Sequence, residues 1–407
     1  MSAVAEPILY GAIDDGLARR NAMVLAVAQA LAGGNNTVTV STASIVGAVL
    51  APDKGLATLP ITVMVIGMWL GSLPVGALAR RFGRRFALQT GSAVGILSGL
   101  ISYSAVMTGQ FWLLLIGTFC GGLYAAAHNS YRFAAADTAS EAFRPKVVSW
   151  VLAGGVFAAV IGPQLVIFTK DMLSPHMFAA SYLGQSACAV LAALVLMFVK
   201  IPPLPPQRID HARPLAEIVR APRFIVAVAC GMASYAMMNM VMTSAPLAMV
   251  GCAHSVPDAA LGIQWHVLAM YAPSFFTGTL IARFGLERIT GIGLSLIVLA
   301  AAVGISGTTV AHFWSALVLL GLGWNFAFIG ATTMVTQCHR PEERNKVQAF
   351  NDFLIFGGMA VASFSSGQLL EYFGWATINA VIFPTIFLVG AMLVWLTLRK
   401  RAAAPGV

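Results

Sequence analysis

The segment Gly76-Ala77-Leu78-Ala79-Arg80-Arg81-Phe82-Gly83-Arg84-Arg85 packs four arginines into its last six residues, and apolar stretches near 57–79 and 86–108 flank it. About 20 consecutive apolar residues cross the roughly 30 Å hydrocarbon core of a bilayer. The pair therefore reads as two membrane spans joined by a short basic hairpin. Working outward, the same alternation fills the chain, with further spans expected near 21–50, 111–133, 147–168, 177–199, 224–250, 259–282, 289–308, 312–335, 347–370 and 375–398. Only 10% of the 407 residues are charged and 58% are hydrophobic, against about 25% charged in soluble domains. Backbone amides in hydrocarbon must pair within their own segment, and none of these stretches alternates polar with apolar as barrel strands do. The expected class is an all-α polytopic membrane protein with twelve transmembrane helices, not a soluble enzyme.

The net charge of +9 could suggest a nucleic-acid partner, but its placement argues for a bilayer. Of 24 Lys and Arg, 22 fall at the two ends or in the even-numbered connections, and only Lys54 and Lys170 fall on the other side. The positive-inside rule then places both termini and all even connections in the cytoplasm, where a basic face meets anionic lipid; no nucleic-acid partner is expected. Residues 1–16 lack the apolar core of a cleavable signal, so span one is expected to act as an uncleaved one. Five cysteines, an odd number lying mostly in spans, imply no disulfide framework.

The chain divides once. Pro202-Pro203-Leu204-Pro205-Pro206 cannot continue a helix, and the charges after it mark a cytoplasmic linker at 201–223, between an N-terminal half (1–200) and a C-terminal half (224–407). The two halves echo each other: Gly76-x-Leu78-x-x-Arg81-Phe82-Gly83 returns 202 residues later as Gly278-x-Leu280-x-x-Arg283-Phe284-Gly285. Repeated halves around a midplane site are a layout of secondary transporters.

On these residues the chain resembles the major facilitator superfamily over nearly its whole length. The 76–85 segment looks like that family's signature between helices two and three, with Arg80 where the family usually has Asp, and Gly155 to Gly162-Pro163 resembles its fifth helix. Four arginines in one loop repel each other unless neutralised. Arg80, Arg81, Arg84 and Arg85 are therefore expected to form a cytoplasmic gate with Asp137 and Asp352, two carboxylates at cytoplasmic helix ends.

Span centres are nearly free of carboxylates. The sharper signal is Met238 with Met242 in span seven and His266 with Met270 in span eight, each pair four residues apart and so on one helix face. At 1.5 Å per residue the two pairs overlap in depth. Thioethers with an imidazole suit Cu(I) better than hard cations. Spacing alone leaves packing open, because methionine also fills apolar gaps and the chain has 18; an imidazole inside a span is rarer. The paired motifs resemble those of CcoA-type copper importers, a branch of the same superfamily that supplies copper for haem–copper oxidase assembly. That resemblance implies a copper importer of the bacterial inner membrane. Its metal ligands would be Met238, Met242, His266 and Met270, with Cys230 and Cys252 as accessory thiols. Copper would be its transported substrate, with no permanent cofactor, copper chaperones as partners, and a monomeric state. Cys252 and His254 could collect the metal at the outer entrance. A related branch carries riboflavin, and this alternative would draw on Asn35, Asn36, Tyr124, Asn129, Trp265, Trp324 and Asn325. A non-transporting sensor is disfavoured by the absence of a soluble signalling segment.

Overall fold

An unpaired backbone amide in hydrocarbon costs several kcal/mol, and the computed structural model of the chain meets that constraint with helices. It describes residues 14–140, 143–201, 213–340 and 343–402, and among these there is no strand. In the N-terminal half run α1 (Asp15–Leu50), α2 (Leu59–Phe82), α3 (Arg84–Thr108), α4 (Phe111–Asn129), the short α5 (Tyr131–Ala136), α6 (Arg144–Thr169) and α7 (Ala179–Leu196). The C-terminal half follows a one-turn α8 (Leu215–Val219) with α9 (Pro222–Gly251), α10 (Val256–Tyr271), α11 (Ser274–Phe284), α12 (Leu286–Ser306), α13 (Val310–Thr336), α14 (Arg344–Ala380) and α15 (Ile382–Ala402).

Among the described residues nine helical stretches are long and apolar enough to cross a membrane, ten with the bent pair α10–α11 counted as one span. One of the nine, Lys346–Arg399, is 54 residues long and contains the two spans expected there, divided where Gly374 leaves helical geometry. The twelfth expected span is α1, which falls short on hydropathy because buried Asn21, Gln29 and Asn35 interrupt it. Boundaries move in instructive places. Span four runs on to Ala136, with Ser130 alone between α4 and α5, and span eight bends by 43° between Tyr271 and Ser274. The expected linker contributes α8 and the first residues of α9, while its proline run and Arg208 lie outside the described residues.

The internal repeat is visible in the backbone. Gly83 and Gly285, 202 residues apart, turn between consecutive helices with φ +89° and +92°, a conformation that side chains disfavour. Gly91 and Gly293 share the same offset. A Cβ on Gly91 would come within 2.3 Å of Ala127 on α4, and one on Gly293 within 2.3 Å of the Ala327 nitrogen on α13. Third and fourth helices of each half thus pack backbone to backbone, as small residues permit in membranes.

Across the halves, α6 packs on α10 and α2 on α14. Four hydrogen bonds tie them at the end of the bundle that holds Lys54 and Lys170. Thr58 Oγ1 donates to the Ser363 carbonyl (3.1 Å), Thr62 Oγ1 to Ser363 Oγ (3.1 Å), Gln368 Nε2 to the Gly55 carbonyl (3.0 Å) and Gln164 Nε2 to Gln264 Oε1 (2.9 Å). That end is sealed.

At the opposite end a clamp fastens the linker to the C-terminal half. Arg213 donates from its backbone N (3.0 Å) and Nε (2.8 Å) to Glu343 Oε1, and from Nη2 to Oε2 (2.8 Å). The Arg340 backbone donates to Oε2 (2.9 Å), and Lys346 Nζ donates to the Arg213 carbonyl. These bonds, first from the Arg213 side chain and then from the Arg340 backbone, hold the Glu343 carboxyl well below the usual range. Of the residues expected there, Arg84 donates to Asp137 from Nε (2.6 Å) and Nη2 (3.3 Å). Arg81 lies over the Phe82 ring, Arg85 is exposed, and the side chain of Arg80 lies outside the described residues. Asp352 accepts from Asn351 Nδ2 at 3.1 Å, and Arg132 of α5 lies in its electrostatic range.

Candidate functional site

Midway between the halves lies a cavity of about 100 Å³. From the N-terminal half, α1 supplies Gln29, Gly33, Asn36, Thr37 and Val40, spaced to lie on one face. α2 supplies Met64 and Met68, and α4 supplies His128 and Asn129 at its end. From the C-terminal half come Tyr235, Met238, Asn239 and Met242 of α9, Met270 and Tyr271 of α10, and Met359 of α14. Among the described residues, no carboxylate, lysine or arginine lines it.

A bent helix pair, α10–α11, frames this space, as expected where a transporter must expose polar backbone at membrane depth. At the α10–α11 bend Pro273 has no N–H to offer, and freed groups need partners. Asn325 of α13 supplies them: its Nδ2 lies 2.6 Å from the Met270 carbonyl and 2.7 Å from Ser274 Oγ, and its Oδ1 accepts from Thr277 Oγ1 at 2.6 Å. Asn325 is therefore a structural support for the bend that presents Met270 and Tyr271.

Aromatic groups back the C-terminal wall. Tyr235 meets Trp324 (5.1 Å between centroids, 88°) and Phe328 (4.9 Å, 86°) edge-on, while Trp324 stacks on Phe328 at 5.1 Å. Asn239 Nδ2 donates to the Met359 carbonyl at 3.3 Å. On the N-terminal wall Gln29 Nε2 lies 3.4 Å from His128 Nδ1. Among the described residues, two buried polar side-chain atoms on this lining have no hydrogen-bond partner: Asn36 Oδ1 and His128 Nε2.

The structure sorts the copper candidates. Met238, Met242 and Met270 do share the cavity. His266 does not: it is fully buried off the lining, its Nδ1 2.7 Å from the Leu317 carbonyl of α13. Cys230 is buried against α15, its thiol 3.9 Å from the Val389 carbonyl, and Cys252 is exposed beyond the end of α9. His254 bonds the Thr308 carbonyl at 2.6 Å. Four soft ligands therefore do not converge. Of the alternative set, Asn36 and Asn129 line the cavity and Trp324 backs Tyr235. Asn35 instead donates to the Gln185 carbonyl (2.9 Å), Tyr124 packs on His128 inside the N-terminal half, and Trp265 is 43% exposed. Gln29, His128, Tyr235, Asn239 and Tyr271 escaped the sequence reading. Gln29 had a legible signal, being a polar residue four and seven positions before Gly33 and Asn36 on one face.

The major facilitator superfamily model matches residues 25–265 and 228–407. The riboflavin transporter RfnT of Brucella anthropi is 49% identical over 390 residues, covering 95% of this chain and 98% of that protein. The uncharacterized MFS-type transporter YddS of Bacillus subtilis is 27% identical, covering 84% of this chain and 85% of its own length. A mutant form of the nucleoside transporter NupG has a similar structure, with TM-score 0.73 at 12% identity over 93% of this chain and 99% of that one. The expectation of copper import is overturned by the first of these relatives, whose similarity favours the alternative reading.

Proposed function

This chain belongs to the major facilitator superfamily, and from that premise we propose that it carries riboflavin across the bacterial inner membrane into the cytoplasm by alternating access. The observation that carries the proposal is 49% identity over 95% of the chain to a riboflavin transporter. The cavity's chemistry supports it. Riboflavin is neutral, and among the described residues the lining bears no charged side chain. Its flat ring system suits the Tyr235 and Tyr271 faces and the surrounding thioethers, since sulfur packs favourably at aromatic edges. Its carbonyls, ring nitrogens and hydroxyls need groups that both donate and accept, which Gln29, Asn36, Asn129 and Asn239 provide.

A cavity of about 100 Å³ is well below the roughly 300–1,000 Å³ of small-molecule sites, so the halves must part for substrate to enter. Under the orientation that the basic residues favour, with both termini in the cytoplasm, the sealed end bearing Lys54 and Lys170 is the outer one. Uptake then alternates between breaking that seal and reforming it around the substrate.

The test is uptake of labelled riboflavin, with labelled copper in parallel, by a riboflavin auxotroph that lacks its own uptake system and expresses this chain. Riboflavin accumulation and growth at micromolar riboflavin are expected. Protein present in the membrane without either would refute the assignment. A cysteine at position 170 should react with an impermeant reagent in intact cells, and one at position 217 only after permeabilisation.

A further inference from the structure

Two atoms of opposite hydrogen-bonding sense are left without partners on one cavity wall, and their placement assigns the substrate an orientation. His128 is 6% exposed on α4, and its Nε2 has no hydrogen-bond partner. Its Nδ1 faces Gln29 Nε2 at 3.4 Å. With the Gln29 amide oriented so, its nitrogen donates and Nδ1 accepts, which assigns the ring proton to Nε2. His128 is thus a buried donor with nothing to donate to. Asn36 Oδ1 is a buried acceptor with nothing to accept from. Gln29, which holds His128, and Asn36 are seven residues apart on one face of α1, roughly 10 Å along the axis. Asn36 lies nearer the sealed end, since α1 runs toward Leu50 and Gly47 packs on Ala57 there.

An unpaired buried polar group is costly, and a ligand that satisfies it is selected over one that does not. Tyr124 and Tyr131 pack edge-to-face with His128, their ring centroids 5.9 and 6.3 Å from its own, and hold the imidazole in place. A hydroxyl there would bring an O–H needing its own acceptor, whereas a ring carbonyl brings none. Resting on the riboflavin reading above, we infer that His128 and Asn36 are specificity-determining residues. His128 Nε2–H donates to a carbonyl on the pyrimidine edge of the flavin ring, while Asn36 Oδ1, toward the sealed end, accepts from a hydroxyl of the sugar-alcohol chain. The substrate class is a planar, neutral heteroaromatic with a carbonyl at one end and a hydroxylated tail about 10 Å away.

The test measures binding of riboflavin and of lumiflavin, the same ring with a methyl in place of the chain, to the purified full chain by flavin fluorescence quenching. Lost pairing of a buried group corresponds to about tenfold or more in Kd. His128→Phe should raise Kd by that factor for both ligands. His128→Gln, which returns an N–H near the same place, should stay within about threefold of the parent protein. Asn36→Leu should weaken riboflavin about tenfold and leave lumiflavin unchanged. Melting temperatures of all three variants separate these effects from misfolding. The inference is overturned if His128→Phe leaves both affinities intact or weakens riboflavin alone, or if Asn36→Leu weakens both ligands equally. Failure of the unmodified protein to bind riboflavin would instead remove the functional reading on which the inference rests.

Discussion

Removing Gln164 and Gln368 together should unseal the outer end by a calculable amount. Each side chain makes one bond between the halves, Gln164 to Gln264 at 2.9 Å and Gln368 to the Gly55 carbonyl at 3.0 Å. Both partners become accessible to water when the halves part, so each bond counts at its net value of about 1 kcal/mol. The two sites share no partner and should add. The double variant Gln164→Leu/Gln368→Leu therefore loses about 2 kcal/mol of preference for the sealed state, about a 30-fold change in the equilibrium between states, and each single variant about fivefold. Spin labels at exposed positions 53 and 371 flank the seal from opposite halves. In a background with the native cysteines replaced, pulsed electron resonance would report their distance distribution. The long-distance population should rise relative to the short one in the order parent, single, double. A distribution unchanged in the double variant would show that these bonds do not set the state, and the sealed end would need another cause.

Three other outcomes follow from contacts already described. His266→Leu removes one buried hydrogen bond to the Leu317 carbonyl, which keeps its partner within α13, costing about 1 kcal/mol; the melting temperature should drop while riboflavin Kd stays within about twofold, and loss of binding at normal stability would return His266 to the site. Asp137→Asn removes the carboxylate charge from a pair with Arg84 whose side chains are 14% and 23% exposed, worth about 1 kcal/mol after allowance for solvent; transport rate should fall with Kd unchanged, and an unaltered rate would take the pair out of the cycle. Glu343 titrates below its unfolded value of about 4.3, so its contribution is present above that pH and fades only as pH drops beneath it. Melting temperature should then be flat from about pH 5 to 8, with Glu343→Gln lower throughout; a decline in the parent protein beginning near pH 6 would contradict the clamp's charge state.

The fold was legible because the bilayer imposes one rule on every span, and apolar runs obey it. What the runs concealed was a break. Ala272–Pro273 interrupts span eight at a place whose satisfaction depends on another helix, as Asn325 shows. The site was half legible for a related reason. Four-residue spacing correctly put Met238 and Met242 on one face, yet residues four apart are still offset by about 40° around the axis. Across that offset Met270 reaches the cavity while His266, one turn earlier, reaches α13. Spacing fixes a face, and only packing decides where the face divides. His128 was invisible because its partner Gln29 lies 99 residues away.

The clamp on Glu343 also decides where this polypeptide can be cut. Its arms are Arg213, Arg340 and Lys346, all from position 213 onward. A gene divided just before residue 213 would give two six-helix fragments, the second of which keeps its clamp whole. Cutting a few residues later would strand Arg213 on the first fragment and leave a buried carboxylate bare on the second. Co-expressed fragments of the first kind should reassemble through α2–α14 and α6–α10. In that arrangement the covalent connection between the fragments would be dispensable, and the clamp would not.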